Sequence, residues 1–230
     1  MATGADLPYL RTKLLKWLDL YGRKFPWRET DDPYKILIAE IMLQRTQARQ
    51  VAPIYERFIE RFPVVESLAE AEVEEVKALV WSLGLPTRHS DLITVARQLL
   101  DWFGGSIPKT REELKRLTGV GDYIAGQVIA QGHRQNGWIV DTNVVRVFCR
   151  FFGLQLPGEA RRSKVMIDLA QKYARSCQPH KANLALLDHA ALICKPREPL
   201  CGQCPVRRRC SYYAQTKAPV PEDTGSIPNP

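Results

Sequence analysis

The chain has 230 residues, 45% of them hydrophobic, which is enough for one large or two small domains with packed cores. Its 33 lysines and arginines against 25 acids leave a formal charge of +8, which favours a polyanionic partner without requiring one. The sequence contains no 18-residue apolar run, and Met1 to Asp6 has neither the basic start nor the apolar core of a signal peptide, so the expectation is a protein of the reducing cytoplasm with no membrane contact.

From the N-terminus, Leu10, Leu14, Trp17, Leu18 and Tyr21 form the stripe of an amphipathic helix begun near Asp6 and Pro8. Phe25-Pro26-Trp27-Arg28 and Asp32-Pro33 break that pattern. Tyr34 to Leu43 is apolar nearly all round, as in a buried helix, yet it carries one carboxylate, Glu40. A lone acid there is costly unless it is paired, for example with Arg45, or used. The polar run Gln44-Arg45-Thr46-Gln47 is a candidate contact surface before an amphipathic helix marked by Val51, Ile54, Tyr55, Phe58, Ile59 and Phe62. Further helices are predicted near Val73 to Ser82 and Ser90 to Phe103. Between them Leu85 sits on a Gly-Pro loop with no obvious core to join.

A short helix near Glu112 leads into Leu117-Thr-Gly-Val-Gly121, a turn whose glycines let backbone amides approach an anion closely. Past the next helix, Trp138-Ile139-Val140 runs into Asp141, placed to cap the helix that follows, a role worth about 1 kcal/mol. Val144, Val147, Phe148 and Phe151 share one face of that helix, and Arg146 and Arg150 another. Helices near Ser163 to Ser176 and Ala182 to Cys194 bring the predicted total to about ten. No alternating pattern argues for a sheet, so the predicted fold class is all-α. Residues 217–230 lack any core-forming period and are expected to be disordered.

Cys149 and Cys177 read as small buried apolar residues. The other four cysteines follow Cys194-x6-Cys201-x2-Cys204-x5-Cys210, so four thiolates can converge from one loop; soft ligands of this kind suit zinc or an iron–sulfur cluster, and spacing alone leaves both open. Between the last two lies Arg207-Arg208-Arg209, either a phosphate contact or a solvated charge run.

Together, the Leu117-x-Gly-Val-Gly121 hairpin with Tyr123, Val140-Asp141-x-Asn143 and the cysteine tail resemble the helix–hairpin–helix DNA glycosylases of the endonuclease III superfamily, over almost everything from Leu10 to Tyr213. The resemblance implies two helical domains flanking a DNA-binding cleft. A six-helix barrel would span 24–135, and a cluster domain would combine 1–23 with 136–216, its four cysteines holding a 4Fe–4S cluster. It implies a monomer acting in a prokaryotic cell interior on double-stranded DNA that carries a mismatched or damaged base.

Within that superfamily, a lysine at the position of Tyr123 attacks the sugar and cuts the strand. A tyrosine cannot form an imine, so the resemblance implies simple hydrolysis. It also implies Asp141 as the carboxylate that stabilises the developing sugar cation, Glu40 as a base-contacting acid, and Tyr123 as a wall of the pocket. Gly119, Val120 and Gly121 would hold a phosphate, Leu85 would fill the vacated stack, and Gln44 or Arg45 would reach the orphaned guanine. The pattern is most similar to the archaeal-type thymine-DNA glycosylases acting on T/G and U/G mismatches. Phe25-Pro26-Trp27-Arg28 and Met42-Leu-Gln44 also suit the A/G-mismatch adenine glycosylases, which usually carry serine at position 123, tyrosine at position 85 and a further C-terminal domain that this chain lacks the length to hold. A catalytically silent iron–sulfur DNA-binding module is the alternative from another class.

Overall fold

Asp32-Pro33, Thr110, Asp141 and Ser163 divide the chain where the fold does, because each starts a helix. Asp32 accepts from the Tyr34 amide ahead of a proline at the first helical position, and the Thr110, Asp141 and Ser163 side chains likewise accept from amides of the first turn. The computed structural model describes residues 6–156 and 158–217. Among the described residues the helices are α1 (Asp6–Tyr21), α2 (Pro33–Met42), α3 (Ala48–Arg61), α4 (Val65–Ala69), α5 (Val73–Val80) and α6 (Arg88–Phe103). They continue with α7 (Arg111–Leu114), α8 (Asp122–Gln127), α9 (Thr142–Phe152), α10 (Lys164–Ala174), α11 (Pro179–Leu192) and α12 (Ser211–Lys217). No strand occurs among these residues, so the chain is all-α as its periodicity indicated.

The predicted total of about ten misses α4 and α12, which span 5 and 7 residues and are too short for an apolar period to register. The expected disordered tail lies, beyond Lys217 at the end of α12, outside the described residues. No helix among the described residues is long and apolar enough to cross a membrane.

The apolar side chains collect into two clusters. The first runs from Trp27 to Ile129 and is centred on α2, whose Ile36, Leu37, Ile38, Ile41 and Met42 are all enclosed. The second joins Leu10 and Leu14 of α1 to Val144, Val147, Phe148, Phe151, Met166 and residues of α11. The N-terminal helix therefore packs with the C-terminal third, because the turn at Gly22 to Arg28 returns the chain to α11. There the fully buried carboxylate of Asp188 takes Arg23 Nε at 2.7 Å and both terminal nitrogens of Arg28 at 2.8 Å.

Two glycines bring the clusters together. A Cβ on Gly126 of α8 would lie 2.0 Å from the Trp138 carbonyl oxygen, and one on Gly137 would lie 2.2 Å from the Gly126 carbonyl oxygen. The segment leading to Asp141 thus lies directly against α8, at a separation that no side chain permits. Arg111 fastens the contact, donating to the Trp138 carbonyl at 2.8 Å and to the Asp122 carbonyl while its guanidinium lies 3.8 Å from the Trp138 ring centre.

Candidate active site

A cleft of about 430 Å³ opens between the two clusters, large enough for one nucleobase and its sugar. Glu40 enters from α2, Tyr123 from α8, and Asp141 with Asn143 from the start of α9. The same cleft is lined by Phe25 and Trp27, stacked with ring centres 4.9 Å apart, and by the two arginines tied to Asp188.

Asp141 is held by its own helix. One carboxylate oxygen accepts from the amides of Asn143 at 2.9 Å and Val144 at 2.7 Å, and the other accepts from the Asn143 side-chain amide at 2.6 Å. Asn143 is itself fixed, accepting from Arg146 at 3.1 Å. The cap leaves the second oxygen with lone-pair capacity on the cleft side.

Glu40 is 7% exposed and forms no ion pair among the described residues, so the pairing with Arg45 that the sequence left open does not occur. It accepts from Gln127 Nε2 at 3.3 Å; Asn183 in turn donates to Gln127 at 3.4 Å and to the Gly137 carbonyl at 2.9 Å. Burial first, and the Asp141 charge as a lesser cause, push its pKa up to about 7 against the favourable effects of Gln127 and Arg28. Tyr123 is half-buried, and burial followed by the charges of Glu40 and Asp141 raises its phenol well above the ordinary value. It is therefore a neutral hydroxyl at any physiological pH.

The remaining predicted positions separate. Gly119 is exposed with φ +73°, the left-handed turn that its neighbours require, and Gly121 is exposed on the same hairpin. Val120 corrects the expectation: its side chain is buried in the first core and its amide donates to the Leu117 carbonyl at 3.1 Å, so it has no donor left for a phosphate. Gln44 reaches the cleft but spends its amide on the Gly119 carbonyl at 2.8 Å. Arg45 is exposed outside the cleft with φ +56°, a conformation that a residue with a Cβ seldom adopts. Leu85 is half-buried beside a shallow recess formed with Val80, Trp81 and His89.

The four tail cysteines line one small cavity with Val147, Phe151 and His189. Among the described residues no group of three His, Cys, Asp or Glu side chains is set to hold a metal ion. A single zinc with bonds of about 2.3 Å needs its sulfurs about 3.8 Å apart. Burial and then the neighbouring Cys210, Cys194 and Cys201 push the Cys204 thiol up to about 12, a penalty that a bound metal centre of either kind would relieve. Three side chains invisible to spacing arguments hold this loop. Arg146 donates to the Cys194 carbonyl at 2.8 Å, Arg150 to the Lys195 carbonyl at 2.6 Å, and His189 Nε2 lies 3.3 Å from Cys204 Sγ. The period of α9 had already placed both arginines on one face; their target was not legible. Cys149 packs half-buried against the second core, whereas Cys177 is exposed between α10 and α11 and so departs from the buried reading.

A hairpin presenting glycine amides beside a helical cleft with a capped aspartate defines a base-excision class of protein, and the comparison of families agrees. Residues 38–175 match the HhH-GPD superfamily base excision DNA repair proteins, and the chain belongs to that family. Among its relatives is a thymine-DNA glycosylase of Aeropyrum pernix, 37% identical over 89% of this chain and 94% of that protein. An adenine DNA glycosylase of Rattus norvegicus is 36% identical over 91% of this chain but only 42% of that protein. A solved thermostable thymine-DNA glycosylase superposes with a TM-score of 0.86 at 33% identity, covering 94% of this chain and 100% of that one.

Proposed function

We propose that the chain is a monofunctional DNA glycosylase that extrudes thymine or uracil mismatched with guanine and hydrolyses its N-glycosidic bond, leaving an abasic site. The observation that carries this reading is the phenol of Tyr123 sharing a cleft with the carboxylates of Glu40 and Asp141, with no lysine among its described lining residues. No amine is available there for imine chemistry. The two apolar clusters support a division into a barrel domain of 24–135 and a cluster domain of 1–23 with 136–216.

Unstacking is cheapest at a mismatch, which biases extrusion toward it. The extruded base enters between Phe25 and Tyr123. As the bond to the base lengthens, the sugar acquires positive charge; Asp141, already oriented by its cap, stabilises that charge and accepts a proton from the attacking water. Glu40 hydrogen-bonds the base. The exposed amides of Gly119 and Gly121 hold a phosphate, and Leu85 occupies the vacated stack. Arg45, free of the bond that engages Gln44, is the better placed of the two for the orphaned guanine. Cys194, Cys201, Cys204 and Cys210 would hold a 4Fe–4S cluster, which when bound pins the C-terminal loop and supports DNA positioning. Their convergence on one enclosed cavity supports a shared ligand, and the choice of a cluster over zinc rests on the spacing resemblance.

The test is base release from duplexes carrying T/G, U/G or A opposite 8-oxoguanine, with and without alkali. The expected result is cleavage of the first two only after alkali. A borohydride-trapped covalent adduct would overturn the monofunctional reading.

The Rattus norvegicus relative keeps the adenine reading alive, and Glu40 separates the two by pH. The N3–H of thymine or uracil needs an acceptor, so their excision should rise as pH climbs through about 7, where Glu40 ionises. Adenine N7 needs a donor, and its excision should fall over the same range. Glu40→Gln flattens either profile near neutrality. Because the folded-state pKa is the raised one, stability is intact below the unfolded value of about 4.3 and declines as pH rises toward about 7. Thermal unfolding should therefore find Glu40→Gln close to wild type at pH 4 and more stable by on the order of 3 kcal/mol at pH 8.

A further inference from the structure

Arg88 is wholly buried, and no carboxylate pairs with it among the described residues. It opens α6, the end of a helix where a positive charge is least welcome. Nothing in the cleft chemistry uses it. A buried cation in that place persists only where something compensates it; the charge of Asp91 one turn along α6 helps, but all of its side-chain hydrogen bonds go to two loops. Its guanidinium donates to the Leu83 carbonyl at 2.8 Å, to the Gln44 carbonyl at 2.6 Å and to Thr46 Oγ1 at 3.0 Å, and Thr46 closes the ring by donating to the Leu83 carbonyl at 2.9 Å. The residues so joined flank Arg45 on one loop and precede Leu85 on the other. The Arg88 amide also donates to the Leu85 carbonyl at 3.1 Å. Thr46 additionally lines the cleft, so the joined loops form part of its rim.

We infer that Arg88 is a positioning residue that locks the Arg45 loop and the Leu85 loop into one rigid unit, so that wedging the duplex and reading the orphaned base occur together. This rests on the roles given above to Arg45 and Leu85. The left-handed backbone at Arg45 fits the inference, because a strained tip persists only when its flanks are held, and Arg88 holds both flanks. Coupling the two contacts makes extrusion conditional on the opposite base: a partner that Arg45 rejects also displaces the wedge.

The test uses full-length Arg88→Met, Arg88→Lys and Thr46→Val. A T/G duplex with 2-aminopurine stacked directly beside the mismatched thymine brightens when that thymine leaves the stack, whether or not any bond is cut, so this readout survives even if wild type releases neither thymine nor uracil. Arg88→Met should lose most of the brightening and slow single-turnover excision about 10- to 100-fold, with affinity for undamaged duplex within about twofold of wild type. Arg88→Lys, which keeps a donor, should recover part of both, and Thr46→Val should show a smaller loss in the same direction. Wild-type brightening in Arg88→Met would overturn the inference, as would a loss of extrusion matched by equal losses in melting temperature and undamaged-duplex affinity. If Arg88→Met does not fold, Arg88→Lys and Thr46→Val decide, and wild-type extrusion in both would sink the idea.

Discussion

Replacing Asp141 with asparagine should reduce base release on the order of 10³-fold while leaving the fold and DNA affinity nearly unchanged. The clean separation follows from the double use of this side chain. One oxygen caps α9 through the amides of Asn143 and Val144. Asparagine caps a helix about as well as aspartate, so its carbonyl oxygen can keep those bonds and the change in stability should stay within about 0.5 kcal/mol. The charge that faces the cleft disappears. Single-turnover excision, melting temperature and affinity for a mismatched duplex are the three measurements. Excision at the wild-type rate would remove Asp141 from the chemistry. Loss of all three together would mean that the residue serves the fold alone. A protein that binds mismatched DNA but releases no base, in wild type and variant alike, would instead be the non-catalytic DNA-binding module.

Asp188→Ala should be the most damaging substitution away from the reacting groups. The carboxylate is fully buried and neutralises Arg23 and Arg28 at the junction of the two cores. Removing one partner of a buried ion pair strands the other, at about 3–5 kcal/mol. Both stranded guanidiniums line the cleft beside Glu40 and Asp141, so excision should fall along with stability. Burial alone would raise the Asp188 pKa, but the hydrogen bonds and charges of Arg28 and Arg23 bring it below the ordinary carboxylate value. A depressed folded-state pKa contributes stability above the unfolded value of about 3.9, and that contribution is lost as pH falls through the folded value. Denaturant titration should accordingly show a large deficit for Asp188→Ala at pH 7 that narrows progressively below pH 4. A variant as stable as wild type at neutral pH would show that the two cores do not depend on this junction.

The helices were legible because their causes are local. The stripe of α1, the all-round apolar α2, the break at Asp32-Pro33 and the cap at Asp141 act within a few turns of chain, and a period, a breaker or a cap reports them directly. The acid on α2 was conspicuous for the same reason, since a carboxylate among Ile36, Leu37, Ile38 and Ile41 violates the local pattern. The cysteine spacing likewise marked four thiols that converge, and they do line one cavity.

What stayed hidden depends on contacts between residues far apart in sequence. Asp188 lies in a helix where nothing nearby announces a partner at Arg23 or Arg28. Arg88 reads as an ordinary charged residue of the loop before Ser90, and Arg146 and Arg150 as an ordinary basic face. Val120 looks like part of an anion-binding turn until its side chain is found in the core. The sequence by itself determined where the longer helices lie and which residue types are available for acid, phenol and thiolate chemistry, because those properties follow from neighbours along the chain. Only the tertiary structure decided that Glu40, Tyr123 and Asp141 meet in one cleft and that the loops around it are pinned by Arg88, Arg111, Arg146 and Arg150. Such meetings depend on how two cores press together through Gly126 and Gly137, and that geometry is set by excluded volume and charge pairing across the whole molecule.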